Sequence, residues 1–333
     1  MEFHQMQQHD YSRPRSLREY ARLFFTGFGM GAADIVPGVS GGTIAFISGI
    51  YQTLLDAIKS FNLDAIRLAL KFDFRGLFTH VPVTFLAALG IGILTAIFAL
   101  SNLLGGALDT TPTFVFAFFG GLVIASIITI GLKIEWNGAA LIALLIGAVF
   151  AFWLVGLPAL SPESVDHSLP TLFLSGSIAI MAMILPGISG SFILLILGQY
   201  PFILAAVRER NLAVLLTVAA GCAVGIVLFS RVLSWLLTRH HRVTIAALTG
   251  FMLGSLRKIW EEATTIIHPA VSDLSALERT RQATGIGNTE ILVISILLAL
   301  IGFLVVSIID HMQTGENPVL RYIWRRKASP VAA

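Results

Sequence analysis

The 333-residue chain is 56% hydrophobic and only 12% charged, where an ordinary soluble domain carries roughly 25% charged residues. With a mean hydropathy of +0.84 and a formal charge of +3, this composition excludes a water-soluble enzyme, a disordered scaffold and a nucleic-acid-binding module, and indicates an integral membrane protein. The one cysteine, Cys222, excludes an internal disulfide and a cysteine-built metal site.

In chain order, the N-terminal region carries Arg13, Arg15, Arg18 and Arg22 ahead of an apolar run and Gly31-Ala32-Ala33, the outline of a signal peptide. The same kind of segment recurs in mid-chain, where no signal can sit, so a membrane element is expected instead. The apolar region from Leu23 to Leu55 is cut by Asp34 and by Pro37-Gly38. The helix available between Arg22 and Pro37 rises about 21 Å, short of a hydrocarbon core about 30 Å thick. A re-entrant hairpin is therefore expected. Three stretches free of Asp, Glu, Lys and Arg follow and can span: Val81–Leu108, Thr110–Leu132 and Trp136–Pro162. A second broken region, Ser168 to Val207, is cut by Pro186-Gly187 and could hold either a hairpin or two full spans. Three more candidate spans come next: Asn211–Ser230, extending to Leu237, then Val243–Leu256 with its flanks, which is the shortest, and Ile291–Ile309. None alternates with period two, so helices rather than barrel strands are expected.

The two broken regions are copies of one another. Pro37-Gly38-Val39-Ser40-Gly41 matches Pro186-Gly187-Ile188-Ser189-Gly190 at a spacing of 149, and the match runs on through Gly49/Gly198, Tyr51/Tyr200 and Leu55/Leu204. A weaker match pairs Gly121–Ser126 with Gly250–Ser255 at a spacing of 129. Each half then reads as one hairpin plus three spans. Three is odd, so the second half must enter the membrane upside down, the inverted-repeat plan of secondary transporters. The expected fold is an all-α integral membrane protein of two inverted repeats. The expected divisions are a cytoplasmic tail (1–19), repeat 1 (20–160), repeat 2 (161–311, with a polar loop at 259–289) and a basic cytoplasmic tail (312–333). With the N-terminus inside, most Lys and Arg fall on cytoplasmic segments. Arg208, Arg210 and the loop from Arg257 to Glu290 are the exceptions.

A chain that turns inside hydrocarbon must have its backbone polar groups covered by protein or by a wet cavity. Pro37 and Pro186 stop the incoming helices, Gly38, Gly41 and Gly42 permit unusual backbone and close approach, and Ser40 and Ser189 suit N-caps of the outgoing arms. Two buried helix N-termini, one from each face, would favour a phosphate or carboxylate reachable from both sides. Thr43, Gly187, Gly190 and Ser191 line the same two elbows. Tight packing of small residues is the competing reading of the glycines.

The run Gly29-Met-Gly-Ala-Ala-Asp-Ile-Val-Pro-Gly-Val-Ser-Gly-Gly-Thr43, followed by Gly49-Ile-Tyr51, resembles the signature of the PopT polyprenyl-phosphate translocases. Leu185–Gly190, Phe229–Trp235 and Leu248–Lys258 are similar to further segments of that family, and the resemblance covers about residues 18 to 310. It implies a transporter rather than an enzyme, resident in the plasma membrane. The implied cargo is undecaprenyl phosphate, carried from the outer to the cytoplasmic leaflet for reuse in cell-envelope synthesis.

Four charged residues complete the candidate set. Asp34 lies just before the first elbow at partial depth, where a carboxylate is costly and thus a functional candidate. It would repel a phosphate, so it is expected to hold a cation or a loop amide, to carry a coupling proton, or merely to cap its own loop. Arg231 could meet a phosphate with its planar fork or snorkel to the surface. Arg257 and Lys258 end a span on the outer side and could collect lipid phosphate or anchor the helix. Tyr51 and Tyr200 could hydrogen-bond near the loops, with core packing as the alternative. The eight histidines are not grouped at metal spacing, and no metal or other cofactor is expected. Two other functions compete: a membrane polyprenyl-diphosphate phosphatase and an ion-coupled transporter of a small organic anion. The first would need a phosphoryl-transfer set, and Pro37–Gly42 contains no Arg, Glu or His. The partner expected is the membrane lipid, with no nucleic acid; the oligomeric state stays open.

Overall fold

A computed structural model describes residues 14, 16–36, 38–264, 275–314 and 317. The candidate Pro37, the arginines at 13 and 15, both ends of the chain and the middle of the polar loop lie outside the described residues. Among those described there are fifteen α-helices and no strand. The chain is an all-helical, multi-pass membrane protein.

The first broken region folds as α1 (Leu17–Ile35), α2 (Gly41–Ile47) and α3 (Tyr51–Lys59). Two short amphipathic helices follow, α4 (Leu63–Leu70) and α5 (Phe74–His80), packed on each other. They leave Leu70, Phe74 and Phe78 exposed, as suits a membrane surface. Then come α6 (Val83–Thr110), α7 (Pro112–Gly131) and α8 (Gly138–Val155). The second broken region folds as α9 (Leu169–Ile184), α10 (Gly190–Ile196) and α11 (Tyr200–Arg208), followed by α12 (Leu212–Arg239), α13 (His241–Thr264), α14 (Ala276–Thr284) and α15 (Asn288–Thr314). Five described helices are long and apolar enough to cross a membrane: α6, α7, α8, α12 and α15. The bent pair α10 and α11, which meet at 111°, is a sixth candidate if it counts as one broken span. The expected span at Val243–Leu256 sits in α13, which is long but also carries Arg257, Lys258, Glu261 and Glu262.

Side-chain caps set several helix starts. Asn62, Asn137 and Asn211 each accept a backbone N–H in the first turn of α4, α8 and α12. The hairpins depart from the sequence reading in having two breaks each, not one. Besides Gly38 and Gly187, with φ of 79° and 91°, the chain turns again at Gly49 and Gly198, with φ of 66° and 69°. All four lie in the left-handed region that favours glycine, and each pair occupies matched positions at the 149 spacing.

The long helices pack in recurring pairs: α1 on α6 and α9 on α12, α7 on α15 and α13 on α8, with α7 against α13 between them. Glycines bring these backbones together. A Cβ on Gly92 would strike the Phe24 carbonyl, and one on Gly221 would strike that of Phe173. Likewise Gly121 lies on the Ala299 carbonyl and Gly250 on that of Leu144. Gly302 lies on the Phe118 carbonyl and Gly147 on that of Ala247. The partners match at fixed spacings: 149 separates Phe24 from Phe173, 129 separates Gly92 from Gly221 and Gly121 from Gly250, and 155 separates Leu144 from Ala299. Small residues at such contacts are what helices need to associate in lipid.

Filling one contact should therefore be costly. Gly221→Leu is expected to lower the thermal stability of the detergent-solubilised protein, since overpacking costs roughly 1–3 kcal/mol or more. Gly90 meets nothing within 4 Å, and Gly90→Ala should be neutral or slightly stabilising. A fluorescence-detected melting curve reads both.

Candidate functional site

The two elbows meet. At the first, α1 ends at Ile35 and α2 begins at Gly41. Ser40 caps α2 as expected, its hydroxyl oxygen accepting from the Gly42 N–H at 3.1 Å. That hydroxyl also donates to the Met183 carbonyl at 3.2 Å, at the end of α9. Thr43 is fully buried and its Oγ1 accepts the Gly187 N–H of the second elbow at 3.0 Å. Tyr51, at the start of α3, donates its hydroxyl to the Ile184 carbonyl at 2.9 Å. Three hydrogen bonds thus run from the first hairpin to the second. Gly42 lies directly against this junction: a Cβ there would come within 2.9 Å of the Ile184 carbonyl oxygen.

Asp34 turns back onto its own elbow. Its Oδ1 accepts the Gly41 N–H at 2.7 Å, and Gly41 has room only because it lacks a Cβ, which would sit 2.6 Å from the carboxylate. Of the expected roles, holding a loop amide is the one this geometry displays. The positive end of α2 is therefore occupied by the protein's own carboxylate and by Ser40.

The second elbow differs. Pro186, Gly187, Ser189 and Gly190 are all buried. Ser189 stands at the N-cap position of α10 but makes no capping bond to it. Its hydroxyl pairs instead with that of Ser191 at 2.7 Å, so the expected side-chain cap is absent here. Ser191 is exposed. Gly190 packs on the Ala179 carbonyl and the Met183 side chain.

Helix α13 runs past both elbows. A Cβ on Gly187 would sit 2.6 Å from the Ser255 hydroxyl, and one on Gly38 would sit 3.0 Å from Lys258 Cγ. Lys258 thus lies over the first elbow, while its ammonium stands 4.6 Å from the centre of the Phe192 ring on α10. The same ammonium pairs with Glu262 at 2.8 Å, the two side chains being 14% and 6% exposed. A paired, mostly buried cation therefore bridges the two hairpins. Arg257, one residue earlier, faces elsewhere. It pairs with Glu261 at 2.7 Å, donates to the Phe152 carbonyl at 3.2 Å and lies over the Phe152 ring, at the end of α8. A guanidinium there meets the negative end of a helix. Arg231 is exposed on α12, and no contact joins it to the elbows among the described residues. Thr43, Ser255 and Glu262 form the junction with Lys258, and the last two were not candidates from sequence. The 129-spaced match of Ser126 with Ser255 was the signal for one of them.

The arrangement offers hydroxyls, backbone amides and, in Lys258, a cation paired with a carboxylate. A phosphate oxygen could replace Glu262 at Lys258 as a charge-assisted hydrogen bond. Removing one member of a buried ion pair costs roughly 3–5 kcal/mol, whereas replacing both by apolar groups is often neutral. Lys258→Met alone should therefore lower the melting temperature. The double variant Lys258→Met with Glu262→Leu should recover it, as read by thermal unfolding in detergent.

Comparison with known proteins agrees with the sequence motifs. The profile of the VCA0040-like family, described as undecaprenyl phosphate translocase-like, matches residues 30–275. A polyprenyl-phosphate transporter of Vibrio cholerae serotype O1 is 45% identical over 242 residues, covering 72% of this chain and 78% of the relative. A polyprenyl-phosphate transporter of Staphylococcus aureus is 32% identical over 252 residues, covering 69% of this chain and 82% of the relative. No solved structure matches the chain. The extent of these matches places the chain in the VCA0040-like, undecaprenyl phosphate translocase-like family.

Proposed function

We propose that the protein carries undecaprenyl phosphate from the outer to the cytoplasmic leaflet of the plasma membrane, returning the lipid carrier for cell-envelope synthesis. The observation that carries this reading is the junction of two Pro-Gly elbows around Lys258, with its hydroxyls and buried ammonium. Both relatives are named as transporters of polyprenyl phosphate, which supports the cargo class and a transport role rather than catalysis. The headgroup would pass between the hairpins while the polyprenyl tail stays in lipid.

The two halves are read as inverted repeats, with both termini cytoplasmic. Matched left-handed glycines and matched helix contacts support the duplication. The three spans expected from sequence in each half, an odd number, would turn the second half upside down relative to the first. In this reading Ser189, Ser191 and Lys258 bind the phosphate, and Ser40, Thr43, Gly38, Gly41, Gly42, Gly187, Gly190, Pro37 and Pro186 shape the elbows. Asp34 holds the first of them. Arg257 and the exposed Arg231 would attract the anionic headgroup from their faces of the bundle.

Proteoliposomes loaded with labelled undecaprenyl phosphate or diphosphate test the proposal. Leaflet movement of the monophosphate without hydrolysis is expected. Thr43→Val should reduce it severely with insertion preserved, because the Gly187 amide loses its acceptor inside the membrane. Release of inorganic phosphate would favour a phosphatase, and uptake of a soluble anion without lipid movement would favour a small-anion carrier.

A further inference from the structure

The matched halves are not in matched states. Tyr51 and Tyr200 are equivalent at the 149 spacing, as are Leu55 and Leu204. Tyr51 is 4% exposed and Leu55 1%, yet Tyr200 and Leu204 are each 38% exposed. The difference follows the packing. Helix α3 lies on α12, a contact between halves, whereas the equivalent helices α11 and α6 make no comparable contact. The surface that receives α3 has a counterpart on α6, whose end α14 meets in the state described, Arg279 donating to the Leu108 carbonyl at 3.5 Å, so closing α11 there displaces α14. Ser230, Leu233 and Leu237 of α12 are buried, and their equivalents at the 129 spacing are Ser101, Leu104 and Leu108, the same residue types, half-buried on α6. The acceptor is duplicated too: Tyr51 donates to the carbonyl of Ile184, and the equivalent of Ile184 is Ile35.

We propose that Tyr51 and Tyr200 are alternating latches, α3 closed on α12 in the state described and α11 closing on α6 in the other. In that second state the Tyr200 hydroxyl donates to the Ile35 carbonyl, Leu204 is covered by Leu104 and Leu108, and α3 leaves α12. The proposal rests on the inverted-repeat reading and adds to it the two closing surfaces. On the proposed topology α3 and the end of α12 lie on the cytoplasmic side, so the state described is closed inward and open outward.

The inner latch has a polar lock that the outer one lacks. The buried Ser234 hydroxyl donates to Asp56 Oδ1 at 2.9 Å, while Lys59 and the Gln52 amide donate to Ser234 Oγ at 3.0 and 3.2 Å. The equivalents of Gln52, Asp56 and Ser234 are Pro201, Ala205 and Gly105, which cannot form such a network. This difference favours the inward-closed arrangement described, since an equilibrium follows whichever state gains the extra contacts.

Cross-linking tests the latch independently of cargo. In a Cys222→Ala background, the pair Leu55→Cys with Leu233→Cys and its equivalent, Leu204→Cys with Leu104→Cys, are tested for disulfide formation with copper phenanthroline in cargo-free proteoliposomes. The inner pair should link and the outer pair should not. Adding Ser234→Ala and Tyr51→Phe to the outer pair should make it link, and transport should be lost when either pair is linked. Tyr200→Phe, at an exposed position, should leave inner linking and membrane insertion unchanged yet reduce transport. An outer pair that never links, or that links as readily as the inner pair from the start, overturns the proposal. So does full transport with the inner pair linked or with Tyr200→Phe. If linking switches as expected but no polyprenyl phosphate moves, the latch stands and the cargo reading falls.

Discussion

Backbone that turns inside a bilayer must find its hydrogen-bond partners within the protein, because each unsatisfied group there costs several kcal/mol. In this chain the two turning segments find them in each other. The Gly187 amide goes to Thr43, and the Met183 and Ile184 carbonyls receive Ser40 and Tyr51. The remainder of the architecture serves to bring these segments to one place. Glycine-mediated pairing fixes α1 on α6 and α9 on α12, and α13 lies across both elbows. The two hairpins are joined by these three hydrogen bonds, while α7, α8, α13 and α15 interlock the two halves of the chain beside them.

The junction is also unequal, and the inequality has chemical consequences. The first elbow neutralises its own amides with Asp34 and Ser40. At the second, among the described residues, the Ser189 hydroxyl pairs with that of Ser191 rather than with the start of α10. Lys258 reaches across both but is held by Glu262. A buried ion pair of this kind is weak evidence for stability; in the proposed transport role the lipid phosphate would compete with Glu262 for the Lys258 ammonium.

Much of this plan was legible in the residues. Pro-Gly breaks and their copy at a spacing of 149 located both elbows, and the reason is physical, since few residue types tolerate such turns. Ser40 as a cap follows from short-range chemistry, whereas the bond from the Gly41 amide to Asp34 was one of several roles that the sequence left open. The second break of each hairpin was within reach, because Gly49 and Gly198 belong to the same match, but nothing local marks a glycine as left-handed rather than packed. The roles of Arg257 and Lys258 were not separable. Neighbouring residues point about 100° apart on a helix, and only the packing of α13 decides that Lys258 meets the elbows while Arg257 meets α8. Glu262 escaped notice for the same reason: in sequence it belongs to a polar loop, and in the fold it belongs to the continuation of α13.

The central claim is that the paired elbows and Lys258 receive the phosphate. The most direct measurement is a cryo-EM map of the protein in nanodiscs containing undecaprenyl phosphate. The account predicts headgroup density against the Lys258 ammonium and the Ser189 and Ser191 hydroxyls, with Glu262 displaced. Headgroup density lodged elsewhere in the bundle, with Lys258 still paired to Glu262, would contradict it.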